Sequence, residues 1–177
     1  MPRLRTFGGL ALEAGSELWA HGDSAGMESL LHRAELAYRR SADSVGSQWG
    51  LMQVAAYKGA WSDAVMLGER LVQRDPTRTA YQGALGVALA RVGNREQALK
   101  ILDALARHEA RYAFGVPQME AARVAASLGD SAKAIGLIQA AYTKGYYFHL
   151  GPHRDPALGT LRSHSLLRSL DDASGRG

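Results

Sequence analysis

Three histidines and one aspartate near the carboxyl end of the chain are residues of the types that ligate metals: His149, His153, Asp155 and His164. Imidazole nitrogens and carboxylate oxygens hold zinc when three or four of them converge at fixed positions. Here Gly151-Pro152 stands between the first two histidines, so their imidazoles cannot share a helical face. The spacing fixes no third ligand. The sequence therefore predicts no metal site and no cofactor, and an enzyme with an unrecognised site near His149–His164 stays an alternative.

The rest of the sequence holds no constellation that predicts catalysis. There is no Gly-rich phosphate-binding loop and no His-Glu-x-x-His metalloprotease motif. The chain has no cysteine, which excludes thiol catalysis, disulfide bonds and cysteine-ligated metals. Gly83-Ala84-Leu85-Gly86 falls inside a predicted helix, where small residues allow close packing. We therefore expect no catalytic residues and a protein that is not an enzyme.

The charge pattern argues against a nucleic-acid partner. The formal net charge is +4, but lysine and arginine alternate with aspartate and glutamate and form no run of like charge. A phosphate-binding face needs clustered cations. No secretory signal is visible, and no stretch approaches the roughly 18 apolar residues of a membrane span. The sequence predicts a cytoplasmic protein without membrane association.

The elements that position the side chains follow from an internal repeat. Gly59–Ala64 recurs after 34 residues as Gly93–Ala98, and after a further 36 residues as Gly129–Ala134. Each segment begins with glycine and ends with alanine, and Asn94 or Asp130 follows the second and third glycines. A fixed period of this length is typical of stacked helical hairpins. We therefore predict three helix pairs, with Ala64, Ala98 and Ala134 buried at helix contacts.

The repeated glycines and the polar residues that follow them also predict the helix boundaries. Glycine favours the left-handed residue that ends a helix, and Asn94 and Asp130 can cap the next one. Asp75-Pro76 closes the first pair. The predicted helices lie near 46–58, 61–74, 77–92, 95–109, 116–128 and 131–144. A helix with a stripe of apolar residues after Gly22 resembles the second half of a degenerate earlier repeat.

The two ends of the chain have different patterns. Arg3–Phe7 alternates polar and apolar residues, Gly8-Gly9 follows, and Leu10–Glu13 comes next, which predicts a short β-hairpin or an extended arm. Leucines at 158, 161, 166, 167 and 170 predict a segment that folds back and caps the third pair. The predicted domains are an arm (1–21), a helical repeat domain (22–145) and a capping segment with tail (146–177).

The repeat resembles the tetratricopeptide repeat family over residues 45–145. With repeats beginning at Val45, Thr79 and Gly115, the family's small-residue positions fall on the repeated glycines and alanines. The family's bulky fourth residue is Gln48, Gln82 and Gln118 here, so packing must differ there. The resemblance implies an α-solenoid of three helix pairs, with a degenerate N-terminal helix and a short C-terminal cap.

The flanks show a second resemblance. The opening Arg3–Leu10 is similar to the first strands of bacterial transcriptional activator-domain regulators, and His153–Leu158 with Leu166–Leu170 is similar to the end of their repeat regions. No DNA-binding domain lies between the flanks. The resemblance implies a shortened relative, and a regulator remnant with weak DNA binding stays an alternative.

The tetratricopeptide register also implies a binding groove, because the first helix of each pair lines the concave face in that family. The residues so placed are Trp49, Gln53, Tyr57, Val87, Arg91, Met119 and Arg123. Aromatic anchors beside guanidinium groups suit a protein segment with apolar and acidic side chains. The lysines and asparagines of the family's carboxylate clamp are absent. We therefore expect a non-catalytic protein–protein interaction module whose partner carries acidic and apolar side chains.

Overall fold

The computed structural model describes residues 7–40, 44–109, 112–147, 155–161 and 163–174. Every regular element in these ranges is a helix, so the predicted all-α class is confirmed for them. None of the described helices is long and apolar enough to cross a lipid bilayer. The chain forms two compact units, Met1–Leu71 and Val72–Gly177.

Over residues 7–40 and 44–71, the first unit contains four helices, of which the last runs past its boundary: α1 (Phe7–Ala20), α2 (Ser24–Arg39), α3 (Val45–Tyr57) and α4 (Trp61–Arg74). Helix α2 packs against both α1 and α3. Leu12 of α1, Leu31 of α2 and Val54 of α3 are all buried in one cluster. Burial of this apolar surface is what holds the three helices together.

The predicted hairpin is wrong where the structure can test it. Phe7–Ala20 forms helix α1, and the predicted first strand before Phe7 lies outside the described residues. Gly8-Gly9 is not a turn; a Cβ atom on Gly8 would lie 2.9 Å from the ring of Tyr38 in α2. The glycine therefore allows close helix packing, and the unit has two helices before the first predicted pair instead of one.

The second unit contains the remaining elements: α5 (Thr79–Arg91), α6 (Arg95–Ala106), α7 (Val116–Ser127), α8 (Ser131–Thr143), a 3₁₀ helix (Pro156–Leu161) and α9 (Ser165–Ser174). Helix α7 is central, because α5, α6, α8 and the 3₁₀ helix all pack against it. Its alanines 121, 122, 125 and 126 are buried. Small side chains let the neighbouring helices approach α7 closely.

The helix ends and caps that were predicted at the repeated segments are confirmed. Gly59, Gly93 and Gly129 have φ values of 71°, 86° and 83°, in the left-handed region. The Asp130 side chain accepts a hydrogen bond from the backbone N–H of Lys133 at 3.0 Å, and caps α8. The six predicted helices correspond to α3 to α8, with ends displaced by at most a few residues.

The repeated alanines are buried as predicted. Ala64, Ala98 and Ala134 each have an exposed fraction of 0%. A methyl group fills the contact at each position, and a larger side chain would have to displace a neighbour. The periodicity of the sequence therefore locates helix contacts correctly within α4, α6 and α8.

Candidate binding surface around Arg123

The seven predicted groove residues are divided between the two units. Trp49, Gln53 and Tyr57 lie on α3, at a four-residue spacing that places them on one face of the helix. All three are partly exposed. The Tyr57 ring meets the edge of Trp19 of α1, with 6.3 Å between ring centroids. This face of α3 therefore offers aromatic surface, part of which is used inside the first unit.

In the second unit, two of the predicted residues belong to the core. Met119 of α7 has an exposed fraction of 0%, and Val87 of α5 is also buried. Neither side chain offers a partner a surface to contact, so the prediction that they line a groove does not hold for this conformation. Arg91, at the end of α5, is exposed.

Arg123 is bonded to two carboxylates. Its Nε donates a hydrogen bond to Oδ2 of Asp155, and its Nη1 donates to Oε1 of Glu120, each at 2.6 Å. The side chains of Glu120 and Asp155 are 10% and 14% exposed, and that of Arg123 is 24% exposed. We call Glu120, Arg123 and Asp155 the Arg123 cluster. Charge-assisted hydrogen bonds of this length are strong when water is largely excluded.

Helix α5 makes room for the cluster at a glycine. A Cβ atom on Gly83 would lie 2.7 Å from the Cβ atom of Glu120 and would also overlap its carboxylate. We call the surface formed by Gly83, Glu120 and Arg123 the α5–α7 face. Close packing at Gly83 was predicted from the sequence, but Glu120 was missed. The available signal was a glutamate one turn before Arg123 on a helix otherwise rich in alanine.

The electrostatics follow from two carboxylates sharing one guanidinium. Burial, reinforced by the Asp155 charge, raises the pKa of Glu120 to about 7 although Arg123 opposes the shift. Burial disfavours the charged form of Arg123, but Asp155 and Glu120 outweigh this and raise its pKa. Burial also raises the pKa of the nearby Tyr146 hydroxyl. With both carboxyls ionised the cluster would hold more negative charge than Arg123 neutralises, and a proton on Glu120 removes this excess.

Asp155 immediately precedes the 3₁₀ helix, which packs against α7. Asp155 accepts a hydrogen bond from the backbone N–H of Ala157 at 3.0 Å through its other oxygen, Oδ1. Leu158 and Leu161 have exposed fractions of 1% and 3%. The part of the predicted capping segment that forms the 3₁₀ helix therefore lies against α7, and the cap as a whole stays a prediction. Residues 148–154 lie outside the described residues.

The histidine cluster does not assemble a site in the described part of the chain. His149 and His153 lie outside it, and Asp155 is bonded to Arg123. His164 is exposed, and its Nδ1 accepts a hydrogen bond from the backbone N–H of Leu166 at 3.3 Å. Among the described residues, no three histidine, aspartate or glutamate side chains are grouped to hold a metal ion.

One segment that fits a catalytic sequence pattern has a different role in the structure. Gly22-Asp23-Ser24-Ala25-Gly26 fits the Gly-x-Ser-x-Gly pattern of hydrolases, in which the serine stands on a turn between a strand and a helix. Here the segment joins two helices, and Asp23 caps α2 by accepting a hydrogen bond from the N–H of Gly26 at 2.9 Å. The segment is a helix start.

No protein-family model, curated protein or solved structure matches the chain. Its function must therefore be inferred from its own residues and their geometry.

The Glu120 carboxyl makes stability depend on pH. Between pH 4.5 and 7 the folded protein retains a proton that the unfolded chain has lost, so stability falls as pH rises through this window. Glu120→Gln removes the proton uptake. We expect the free energy of unfolding of this variant, relative to wild type, to rise by at most about 3 kcal/mol between pH 4.5 and 8. Urea unfolding at both pH values measures it.

Glu96→Gln is the matched control for this measurement. The Glu96 carboxylate is exposed and accepts a hydrogen bond from Nζ of Lys100 at 2.6 Å, and this bond lowers its pKa. Its replacement should produce no comparable gain in relative stability towards alkaline pH. A difference between Glu120→Gln and wild type that stays constant from pH 4.5 to 8 would contradict the prediction.

Proposed function

We propose that this protein is a non-catalytic interaction module of the tetratricopeptide type, which binds a segment of another protein carrying acidic and apolar side chains. The fold proposed with it is a solenoid of three helix pairs, α3–α4, α5–α6 and α7–α8. The repeat period, the left-handed glycines and the buried alanines support it.

The observation that carries the proposal is the occupation of Arg123. The tetratricopeptide register puts this residue among those expected to bind acidic and apolar segments. In the structure, Arg123 bonds Asp155 of a segment that also buries Leu158 and Leu161. A chain segment of the expected chemistry thus lies on the helix that was expected to bind such a segment.

The other predicted contacts are assigned separately for each unit. Trp49, Gln53 and Tyr57 give α3 a partly exposed aromatic face, and Arg91 gives α5 an exposed cation. An aromatic side chain that becomes buried by a partner supplies most of the apolar contact area, whereas an exposed arginine contributes little. That all these residues form one groove stays a prediction.

The test is selection of random peptides displayed on phage against the immobilised full chain. We expect enrichment of peptides that carry both acidic and apolar residues. With a selected peptide, Trp49→Ala should weaken binding about 30-fold, and Arg91→Ala only a few-fold. Fluorescence anisotropy measures both affinities, and circular dichroism confirms that the variants are folded.

Met66→Ala is the control, because Met66 is an exposed apolar residue of α4 outside the predicted contacts. Its affinity should equal that of wild type. Absence of enriched peptides would reject the proposed function. Equal affinity of wild type and Trp49→Ala would remove α3 from the binding surface.

A further inference from the structure

We propose that residues 155–161 are an intramolecular ligand of the α5–α7 face, and that a segment with an aspartate and with leucines three and six residues after it displaces them. The inference rests on the proposed function and specifies the partner's pattern and the regulation of the site. It makes the covered state described here the resting state of the second unit.

The spacing within the segment is the first step. Asp155, Leu158 and Leu161 are three residues apart, and the segment forms a 3₁₀ helix from Pro156 to Leu161. A 3₁₀ helix has three residues per turn, so side chains at this spacing lie above one another on one face. The chain thus presents one carboxylate and two leucines in a row. This is the chemistry of a short linear recognition motif.

The complementarity of the face is the second step. Arg123 gives the segment a cation, and α7 is the helix against which the 3₁₀ helix packs. Leu158 and Leu161 are nearly fully buried, and Ala157 is 7% exposed. Glu120 occupies the other side of the guanidinium, so it orients Arg123 towards Asp155. The surface around Arg123 therefore accepts one carboxylate of a segment whose two leucines are buried beside α7.

The connection to α8 is the third step. Only residues 144–154 separate the end of α8 from Asp155. A segment that belongs to the same chain as its binding face acts at an effective concentration that a free segment does not have. A free segment of the same pattern competes with the attached one. It occupies the face only when its concentration divided by its Kd exceeds the effective concentration of the attached segment divided by that segment's Kd. The covalently attached segment therefore weakens partner binding without changing any contact on the face itself.

The test uses a fluorescein-labelled synthetic peptide with the sequence of residues 152–164 and a full-length variant, Asp155→Asn/Leu158→Ala/Leu161→Ala, whose own segment is disabled. We expect the peptide to bind this variant at least about tenfold more tightly than it binds wild type. A peptide with Asp155→Asn should bind the variant at least about tenfold more weakly than the unmodified peptide does, because it loses the charge-assisted bond to Arg123. Equal binding to wild type and variant, or no effect of the asparagine, overturns the proposal.

A second measurement needs no variant. Hydrogen exchange of wild type is recorded with and without the peptide in excess. We expect faster exchange of the backbone amides of Leu158 and Leu161 when the peptide is present, because the attached segment is displaced. Unchanged exchange at the highest peptide concentration overturns the proposal, whether or not the triple variant folds.

The selected phage peptides separate this inference from the proposed function. If they bind and compete with the 152–164 peptide, both are supported. If they bind without competing, the module binds segments elsewhere and the intramolecular-ligand proposal fails alone. If no phage peptide is enriched while the 152–164 peptide binds and displaces the segment, the proposed function fails and the inference holds as a property of the chain.

Discussion

Replacement of Arg123 by alanine is expected to destabilise the second unit by about 3–5 kcal/mol. The guanidinium bonds two largely buried carboxylates, Glu120 and Asp155, and its removal leaves both without a cation. Removing one member of a buried ion pair lowers the free energy of unfolding by more than the intact pair contributes to it, because the desolvation of the remaining charges is no longer compensated. Urea unfolding of the full-length protein at pH 7 measures the change in the free energy of unfolding.

Two comparisons assign the loss to uncompensated charge. Arg95→Ala removes an exposed arginine whose Nη1 donates to the carbonyl oxygen of Leu128 at 3.3 Å, and should cost less than about 1 kcal/mol. The triple variant Glu120→Gln/Arg123→Met/Asp155→Asn keeps similar shapes without charge. It should recover most of the stability lost in Arg123→Ala. A loss below about 1 kcal/mol for Arg123→Ala, or a triple variant less stable than it, would contradict this assignment.

The role of Arg123 shows what the repeat pattern could predict. The period placed the residue on the first helix of the third pair, where the structure has it. The pattern could not show that Asp155, far along the chain, covers it. A periodic sequence reports which face of a helix a residue occupies, because that depends on local geometry. What packs on that face depends on contacts distant in sequence.

The same limit explains the error at the amino end. Gly8-Gly9 between short apolar runs fits a turn as well as a helix contact, because glycine suits both. Burial of Ala11 and Leu12 with Leu31 and Ala34 of α2 decides for the helix. Sequence alone cannot weigh that burial, since α2 is a separate element.

The glutamines at the fourth repeat position illustrate the opposite case. The sequence predicted altered packing where the family has a bulky residue. In the structure, Nε2 of Gln82 donates to the carbonyl oxygen of Pro76 at 2.6 Å, and Nε2 of Gln118 donates to that of His108 at 3.1 Å. Each side chain therefore ties its helix to the loop before it. The change of residue type was visible in the sequence, but the acceptor was not.

Gly115→Ala is the second substitution with a large expected effect. Gly115 precedes α7 with φ 72°, a conformation that costs an L-residue about 1–2 kcal/mol. A Cβ atom there would also overlap the carbonyl oxygen of Ala141 and lie 2.9 Å from its Cα atom, both of which belong to the α8 backbone. The neighbouring Phe114 is itself left-handed, with φ 46°, so the loop has little freedom to adjust. We expect a total loss of about 2–5 kcal/mol.

Two further glycines divide this loss into its parts. Gly129 has φ 83°, and a Cβ atom added there would meet no other atom within 4 Å, so Gly129→Ala should show the conformational cost alone, about 1–2 kcal/mol. Gly136, inside α8, is equally open but has ordinary helical geometry, and Gly136→Ala should stabilise the protein by up to about 1 kcal/mol. Thermal and urea unfolding of the three variants should rank them Gly136→Ala, Gly129→Ala, Gly115→Ala, in order of decreasing stability. A Gly115→Ala protein as stable as Gly129→Ala would show that α8 can yield at Ala141, because the steric part of the loss would then be absent.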